Sequence, residues 1–291
     1  MTTQTTFQTL RSDRRTQELI WSIISYILLA LFLSVFLFPV AWMVMTAFKP
    51  NAEIATNQAP LGIINPTLEN FTFLFQETAF TTWMGNSLVV SMGTTIFSVI
   101  VGTLAAYALV RYRLRGSGVM GMSIFVTYLL PQTLLFIPMA LVIQRLGLYD
   151  NLWGLVVVYP TIMVPFCTWL MMGYFRAIPN DMEEAARVDG ASHWQAFYKI
   201  ALPLATPGII SAAIFTFTMS WSEYLYALVL VPSTEAQTIP IGVPNALSSG
   251  DVYIWGSLMG AALLGSVPVV LIYALFMRFF VSGMTVGAVK G

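Results

Sequence analysis

The sequence predicts an all-α, polytopic membrane protein with six transmembrane helices. Composition is the first reason. Of 291 residues, 57% are hydrophobic and only 9% charged, against about 25% charged in a soluble domain, and the mean hydropathy is +0.78. The second is length: six segments come near or above the roughly 20 apolar residues that a bilayer core requires. The third is charge placement. With six crossings both termini share a side, and Arg11, Arg14, Arg15, Arg111, Arg113, Arg115, Arg176, Arg187, Lys199, Arg278 and Lys290 fall on that side, leaving Lys49 and Arg145 on the other. The excess of basic residues marks the cytoplasmic face.

The six spans are read as Ile20 to Phe48, Leu88 to Val110, Val119 to Ile143, Leu152 to Phe175, Pro207 to Val231 and Trp255 to Val281. They organise the chain into a cytoplasmic N-terminal tail (1–19), a first span (20–48), an extracytoplasmic loop (49–85), a transmembrane core (86–281) containing a cytoplasmic loop at 177–204, and a cytoplasmic C-terminal tail (282–291). The first apolar run is too long for a cleaved signal peptide, whose apolar region has about 7 to 15 residues, so it is read as an uncleaved span in contact with membrane lipid. Trp83, Trp153 and Trp255 at outer ends and Trp21 at an inner end are expected as headgroup anchors. Pro39, Pro131, Pro138, Pro160, Pro165 and Pro268 lie within spans, each removing a backbone hydrogen bond and expected to bend its helix toward a cavity-lining bundle. In the outer loop, Leu68, Phe71, Phe75, Phe80, Trp83 and Met84 predict amphipathic helical pieces, lying in the interface or against an external partner.

Composition also excludes function classes. The formal net charge is zero, so no basic face is offered to nucleic acid. Cys167, alone in an apolar run, is expected as a small buried hydrophobe. The single histidine, His193, rules out a histidine-cluster metal site or a histidine triad within the spans. No lysine is followed by Ser or Thr, so the phosphate-binding loop G-x-x-x-x-G-K-[ST] of nucleoside triphosphatases is absent. No catalytic residue, metal or cofactor is expected in this chain.

The cytoplasmic loop carries the strongest local signals. Asn180 is a predicted N-cap, with Glu183 at the third helical position and four residues ahead of Arg187. Gly190 supplies the left-handed residue that ends this first helix. Ser192 and Gln195 have capping-box spacing for a second, on which Trp194, Phe197, Tyr198 and Ala201 share a face. Pro203 is expected to stop it and Pro207 to open the next span. A helix-glycine-helix with small Ala185 and Ala186 on one turn fits closely into a groove on another protein.

Within the spans, Glu223 is the only acidic residue, and an acid near mid-membrane costs about 2.5 to 3.5 kcal/mol on insertion scales. Its neighbours Trp221, Tyr224 and Tyr226 offer stacking faces and hydroxyls suited to sugars. Two roles stay open for Glu223: a group on a substrate path, or one that pairs with a partner subunit or steadies a bent helix. Gln132, between Pro131 and Thr133, is a second path candidate.

Residues Glu184 to Pro203, EAARVDGASHWQAFYKIALP, follow the pattern E-A-A, three residues, G, nine residues, I, one residue, L-P. Seven fixed residues would match by chance with probability on the order of 10⁻⁶. The stretch resembles the coupling loop of ABC importer permeases. Asn86-Ser87-Leu88, Ala105-Ala106-Tyr107-Ala108, LGLYDNLWGL from Leu146 to Leu155, FRAIPNDMEEAARVDGAS from Phe175 to Ser192 and SWSEYL from Ser220 to Leu225 look like the carbohydrate type of that family. The tail GMTVGAVKG from Gly283 to Gly291 is similar to that of MalG-type subunits. Where the family usually has Asn before an acid, this chain has Ser222-Glu223.

The resemblance implies a type I ABC importer permease fold and no catalysis in this subunit. It implies a second, MalF-like permease, two ATP-binding subunits that hold ATP and Mg, and an extracytoplasmic solute-binding protein delivering a sugar of oligosaccharide or polyol class. It would place Glu184, Ala185, Ala186, Asp189 and Gly190 in the ATPase cleft, and Thr285, Gly287, Lys290 and Gly291 against the ATPase subunits. Glu223, Trp221, Tyr224 and Gln132 would line the substrate path. The protein would sit in a bacterial or archaeal plasma membrane. Related systems import glycerol phosphate-type solutes, which stays open as an alternative. An ion-coupled secondary transporter would explain Glu223 but leave the loop and the tail without a purpose.

Overall fold

The computed structural model describes residues 3–55, 62–112, 115–250 and 252–288, and their side chains apart from those of 3–16, 249 and 278–288. Arg113, Lys290 and Gly291 lie outside the described residues, and the side chains of Arg11, Arg14, Arg15, Arg278 and Thr285 outside the described side chains. In chain order the helices are α1 (Thr3–Ala47), α2 (Asn51–Ile54), α3 (Glu69–Glu77), α4 (Phe80–Arg111), α5 (Ser117–Tyr128), α6 (Gln132–Arg145), α7 (Leu152–Val158), α8 (Pro160–Ala177), α9 (Asp181–Val188) and α10 (His193–Ala196). A π turn (Phe197–Ala201) leads to α11 (Leu202–Leu204), α12 (Thr206–Trp221), α13 (Leu225–Leu230) and α14 (Ile239–Leu247). A two-stranded antiparallel ribbon, β1 (Ser248–Ser249) and β2 (Val252–Tyr253), pairs Ser248 with Tyr253 and precedes α15 (Trp255–Ala288).

Among the described residues, four helices are long and apolar enough to cross a membrane: Gln17–Ala47, Phe80–Arg111, Leu152–Ala177 and Trp255–Met277. Two bent pairs bring the number to as many as six: Ser117–Tyr128 with Gln132–Arg145, turned by 91°, and His193–Leu204 with Thr206–Trp221, turned by 71°. The third predicted span is therefore discontinuous, while the 71° bend falls at Ala205, just ahead of the fifth. The fifth breaks at Ser222 to Tyr224, before α13. Proline explains only part of this. Pro131 stands at the 91° break, whereas Pro39, Pro138, Pro165 and Pro268 lie inside uninterrupted helices, where one missing hydrogen bond leaves the rest of the ladder intact. The tails differ too: α1 already begins at Thr3 and α15 runs to Ala288, past the expected end at Val281.

The chain divides into two compact units. In the first (1–71 and 255–263), the apolar stretch of α1 from Gln17 onward has none of its most hydropathic window buried, as a surface bathed in hydrocarbon allows. Asn70 organises its end: the side-chain Nδ2 donates to the carbonyls of Ala47 at 3.0 Å and Lys49 at 2.7 Å. Phe48 and Phe71 rings meet at 5.1 Å.

The second unit (72–254 and 264–291) is built on α4, which packs against α8 and α12. Close approach of α4 to α8 depends on Gly102, where an added Cβ would come within 2.6 Å of the Cys167 Cβ. Cys167 is fully buried, as expected. Two apolar clusters form its core. One joins Val90, Ile143, Leu155, Tyr159, Tyr226 and Leu230; the other joins Ala106, Tyr107, Met171, Phe175, Phe197 and Ala212. Trp21, Trp153 and Trp255 are exposed as headgroup anchors should be, but Trp83 is only 2% exposed. Its ring lies over Gly242 and its Nε1–H donates to the Thr234 carbonyl at 2.9 Å, which satisfies the indole inside the protein and removes it from the interface.

Candidate functional site

The loop at 177–204 folds as a helix pair around Gly190, whose φ of 92° is left-handed. Ser192 and Gln195 form the expected capping box: Ser192 Oγ accepts from Gln195 N at 3.2 Å and Gln195 Oε1 accepts from Ser192 N at 2.8 Å. Pro203 does not stop the second helix. The helix instead widens into a π turn, in which the Leu202 amide donates to the Phe197 carbonyl, and continues to Leu204 before bending at Ala205. A π turn absorbs the missing proline N–H by shifting register, and such turns often sit at functional sites.

The first helix, α9, is amphipathic in reverse. Glu183 is buried, while Met182, Glu184, Ala185, Val188, Asp189 and Gly190 are exposed, Val188 by 88%. The expected Glu183–Arg187 pair is not formed, because Glu183 turns inward to Arg111 at the end of α4. Arg111 Nε donates to Glu183 Oε1 at 2.6 Å, and the hydroxyl of Tyr107 donates to Oε2 at 2.6 Å. Asn180 is likewise diverted from capping α9: its Oδ1 accepts from Arg111 Nη1. Arg111 Nη2 completes the fork on the Ile178 carbonyl at 3.0 Å. Tyr107 also rests on Phe197 at 4.5 Å and Phe175 at 5.4 Å. The cleft beside these groups holds about 110 Å³, well below the roughly 300 Å³ of small-molecule sites. It is a joint between elements. The sequence reading did not find it, since Arg111 and Glu183 are 72 positions apart and no local spacing relates them.

The path residues separate. Glu223 sits in the α12–α13 break, half-buried, and both carboxylate oxygens accept backbone N–H groups, Tyr226 N at 2.9 Å and Ala227 N at 3.2 Å. A carboxylate there satisfies orphan donors and meets the positive end of the helix, which favours the helix-steadying role. Trp221 is not open for stacking: it is 7% exposed, stacks on Phe217 at 5.6 Å and donates to the Gly265 carbonyl at 3.0 Å. Tyr224 is exposed and Gln132 half-buried. The breaks of the third and fifth spans are linked, since the Tyr226 hydroxyl donates to the Gln132 carbonyl at 3.4 Å. Thr285 and Gly287 lie on the last turns of α15.

The other stretches singled out in the sequence prove to be latches. Asn86 Nδ2 donates to the carbonyls of Glu235 and Gln237, both at 2.8 Å, and Ser87 Oγ accepts from Ile239 N at 2.9 Å. Asp150, in a left-handed turn with φ 55°, accepts from Ser233 N and Oγ through Oδ1 at 3.1 and 2.9 Å, and Asn151 caps α7.

The described residues thus combine membrane-length helices and broken spans with an exposed helix-glycine-helix loop. Residues 98–286 match the family described as Binding-protein-dependent transport system inner membrane component. The chain is 38% identical over 265 residues to Inner membrane ABC transporter permease protein YcjP of Escherichia coli (strain K12), covering 90% of this chain and 94% of that one. It is 32% identical to Trehalose transport system permease protein SugB of Mycobacterium tuberculosis (strain CDC 1551 / Oshkosh), over 88% and 93%. A chain of a bacterial ABC transporter involved in the import of the acidic polysaccharide alginate superposes with a TM-score of 0.78 at 23% identity, over 91% of this chain and 98% of that one, which shows the type I ABC importer permease fold. The chain belongs to the binding-protein-dependent ABC transporter permeases, in their carbohydrate-type, MalG-like branch. It is a non-catalytic, multi-pass inner-membrane subunit. Membership implies a complex with a periplasmic binding protein, ATPase subunits and a partner permease.

Proposed function

We propose that this subunit, with a MalF-like partner, forms the translocation path of an ATP-driven sugar importer and receives its drive through α9 and α10. The observation that carries this reading is the inverted face of α9. An acidic side chain is held inside, while Met182, Ala185 and Val188 face outward beside Glu184, Asp189 and Gly190. Apolar exposure on a polar loop fits a docking surface, and the small Ala185 lets a partner approach closely. Two ATP-binding subunits would hold ATP and Mg and grip this face, and Thr285, Gly287, Lys290 and Gly291 would reach the same subunits. Both termini are cytoplasmic in this reading, supported by the placement of the basic residues.

A sugar of oligosaccharide or polyol class is the proposed cargo, delivered by the extracytoplasmic binding protein. The trehalose relative supports the class. Tyr224 and Gln132 remain the path candidates with open surface, while Glu223 serves the path by holding α13. The test is copurification and uptake with Gly190→Pro and Glu184→Lys. Each is expected to abolish ATPase association, because proline cannot adopt a left-handed φ and lysine reverses the charge on the docking face. Complexes that survive both changes with full coupled uptake would overturn the reading.

A further inference from the structure

We propose that Arg111 is a positioning residue for energy coupling: its fork fastens α4 to the corner between α8 and α9, so that α4 moves with the docking helix as one body. The inference rests on the reading of α9 as the ATPase-docking element. Chain connectivity explains how displacement of α9 would reach α8, which precedes it directly, and α12, which follows through α10 and the π turn. It does not explain α4, whose last residue is separated from α9 by four helices and their connections.

The Arg111 contacts supply that link. All three guanidinium nitrogens are used, and on three different features: the carbonyl of Ile178 at the end of α8, the Asn180 side chain before α9, and Glu183 within α9. Tyr107, one turn earlier on α4, holds the second oxygen of Glu183. The ion pair is shielded, with side-chain exposures of 10% and 9%, so salt screens it little. A planar fork with fixed donor directions resists rotation of the corner against α4; a lysine in its place would keep the charge and lose the geometry. Because α4 is the helix on which α8 and α12 pack, a rigid joint there converts loop displacement into movement of the unit rather than into local bending.

The experiment uses the full transporter complex in nanodiscs, with spin labels at Ile100→Cys on the exposed face of α4 and Asp181→Cys at the start of α9. Native Cys167 has no exposed surface and stays unlabelled. The distance between labels is measured without nucleotide and after trapping with Mg-ATP and vanadate. In the otherwise native complex the two distances are expected to agree within about 2 Å, the scale of a small helix shift. In Arg111→Ala and Arg111→Lys complexes that still bind the ATPase, trapping is expected to shift or broaden the distribution beyond that. A pair that only stabilised the fold would lower the melting temperature and leave free and trapped distances equal. The proposal is overturned if the native complex changes by more than about 2 Å on trapping, or if both variants keep the native distance. Should Arg111→Ala fail to assemble, the Arg111→Lys complex decides alone. If no ATPase binds the native permease, the docking reading itself falls, and the joint loses its role with it.

Discussion

Glu183 shows how far single residues could be read from the sequence. Its i,i+4 spacing to Arg187 predicts a solvent-exposed helical pair worth a few tenths of a kcal/mol, whereas the folded chain buries it against Arg111 and Tyr107. The hint was present in the helical wheel, where Met182, Ala185 and Val188 occupy the face a free amphipathic helix would bury. Arg111 was legible only as a topology charge at the end of a span. Removing one partner of a buried ion pair costs about 3–5 kcal/mol, because the other charge is left uncompensated. Glu183→Ala is therefore expected to lower the thermal midpoint of the purified protein clearly, whereas Arg187→Ala, on the exposed face, is expected to leave it within the range of ordinary surface changes of about 0.5 kcal/mol. Differential scanning fluorimetry in detergent compares the two. Gly102→Val tests the α4–α8 contact in the same assay. Overpacking against Cys167 is expected to cost about 1–3 kcal/mol.

At the scale of elements, the features that depend on near neighbours were legible: the capping box, the left-handed Gly190, and helical pieces in the outer loop at α3 and the start of α4. Ser192→Ala removes the side-chain acceptor of the Gln195 amide and is expected to cost about 1 kcal/mol, read as faster hydrogen exchange at the first amides of α10. The break at Leu129 to Pro131 falls at a proline expected to bend its span, and the one at Ser222 to Tyr224 at an acid weighed as steadying a bent helix, but the full 91° turn was not legible, because its angle is set by tertiary packing. A half-buried carboxylate can replace backbone hydrogen bonds as a cap, and Glu223 does so for Tyr226 and Ala227. This gives its substitution a distinct signature. Glu223→Ala is expected to reduce uptake by loosening α13 while leaving the order of substrate preference unchanged, and Glu223→Gln, with one carbonyl oxygen still able to accept, is expected to retain part of the rate. A changed preference in competition assays would instead put Glu223 on the sugar.

At the scale of the whole molecule, hydropathy sufficed for the helical membrane fold class and for the long spans, since it is set by the bilayer rather than by packing. What the sequence withheld is how the second unit is held together. Asn86, Ser87, Asp150 and Arg111 each reach a segment distant in the chain, and such pairings follow from tertiary packing that no spacing encodes. They lend the stretches resembling the permease family a shared physical role as latches between elements, with the α9 face left open beside them. Orientation is testable by itself: a cysteine at exposed Arg145 is expected to react with an impermeant maleimide from outside intact cells, and one at Asp189 only after the membrane is opened. The central claim, that the exposed side of α9 meets the motor, is tested most directly by photo-cross-linking from Val188, with Val119 on α5 as a control. The account predicts an adduct between position 188 and the ATP-binding subunit and none from 119; adducts from 119 with none from 188 would contradict it.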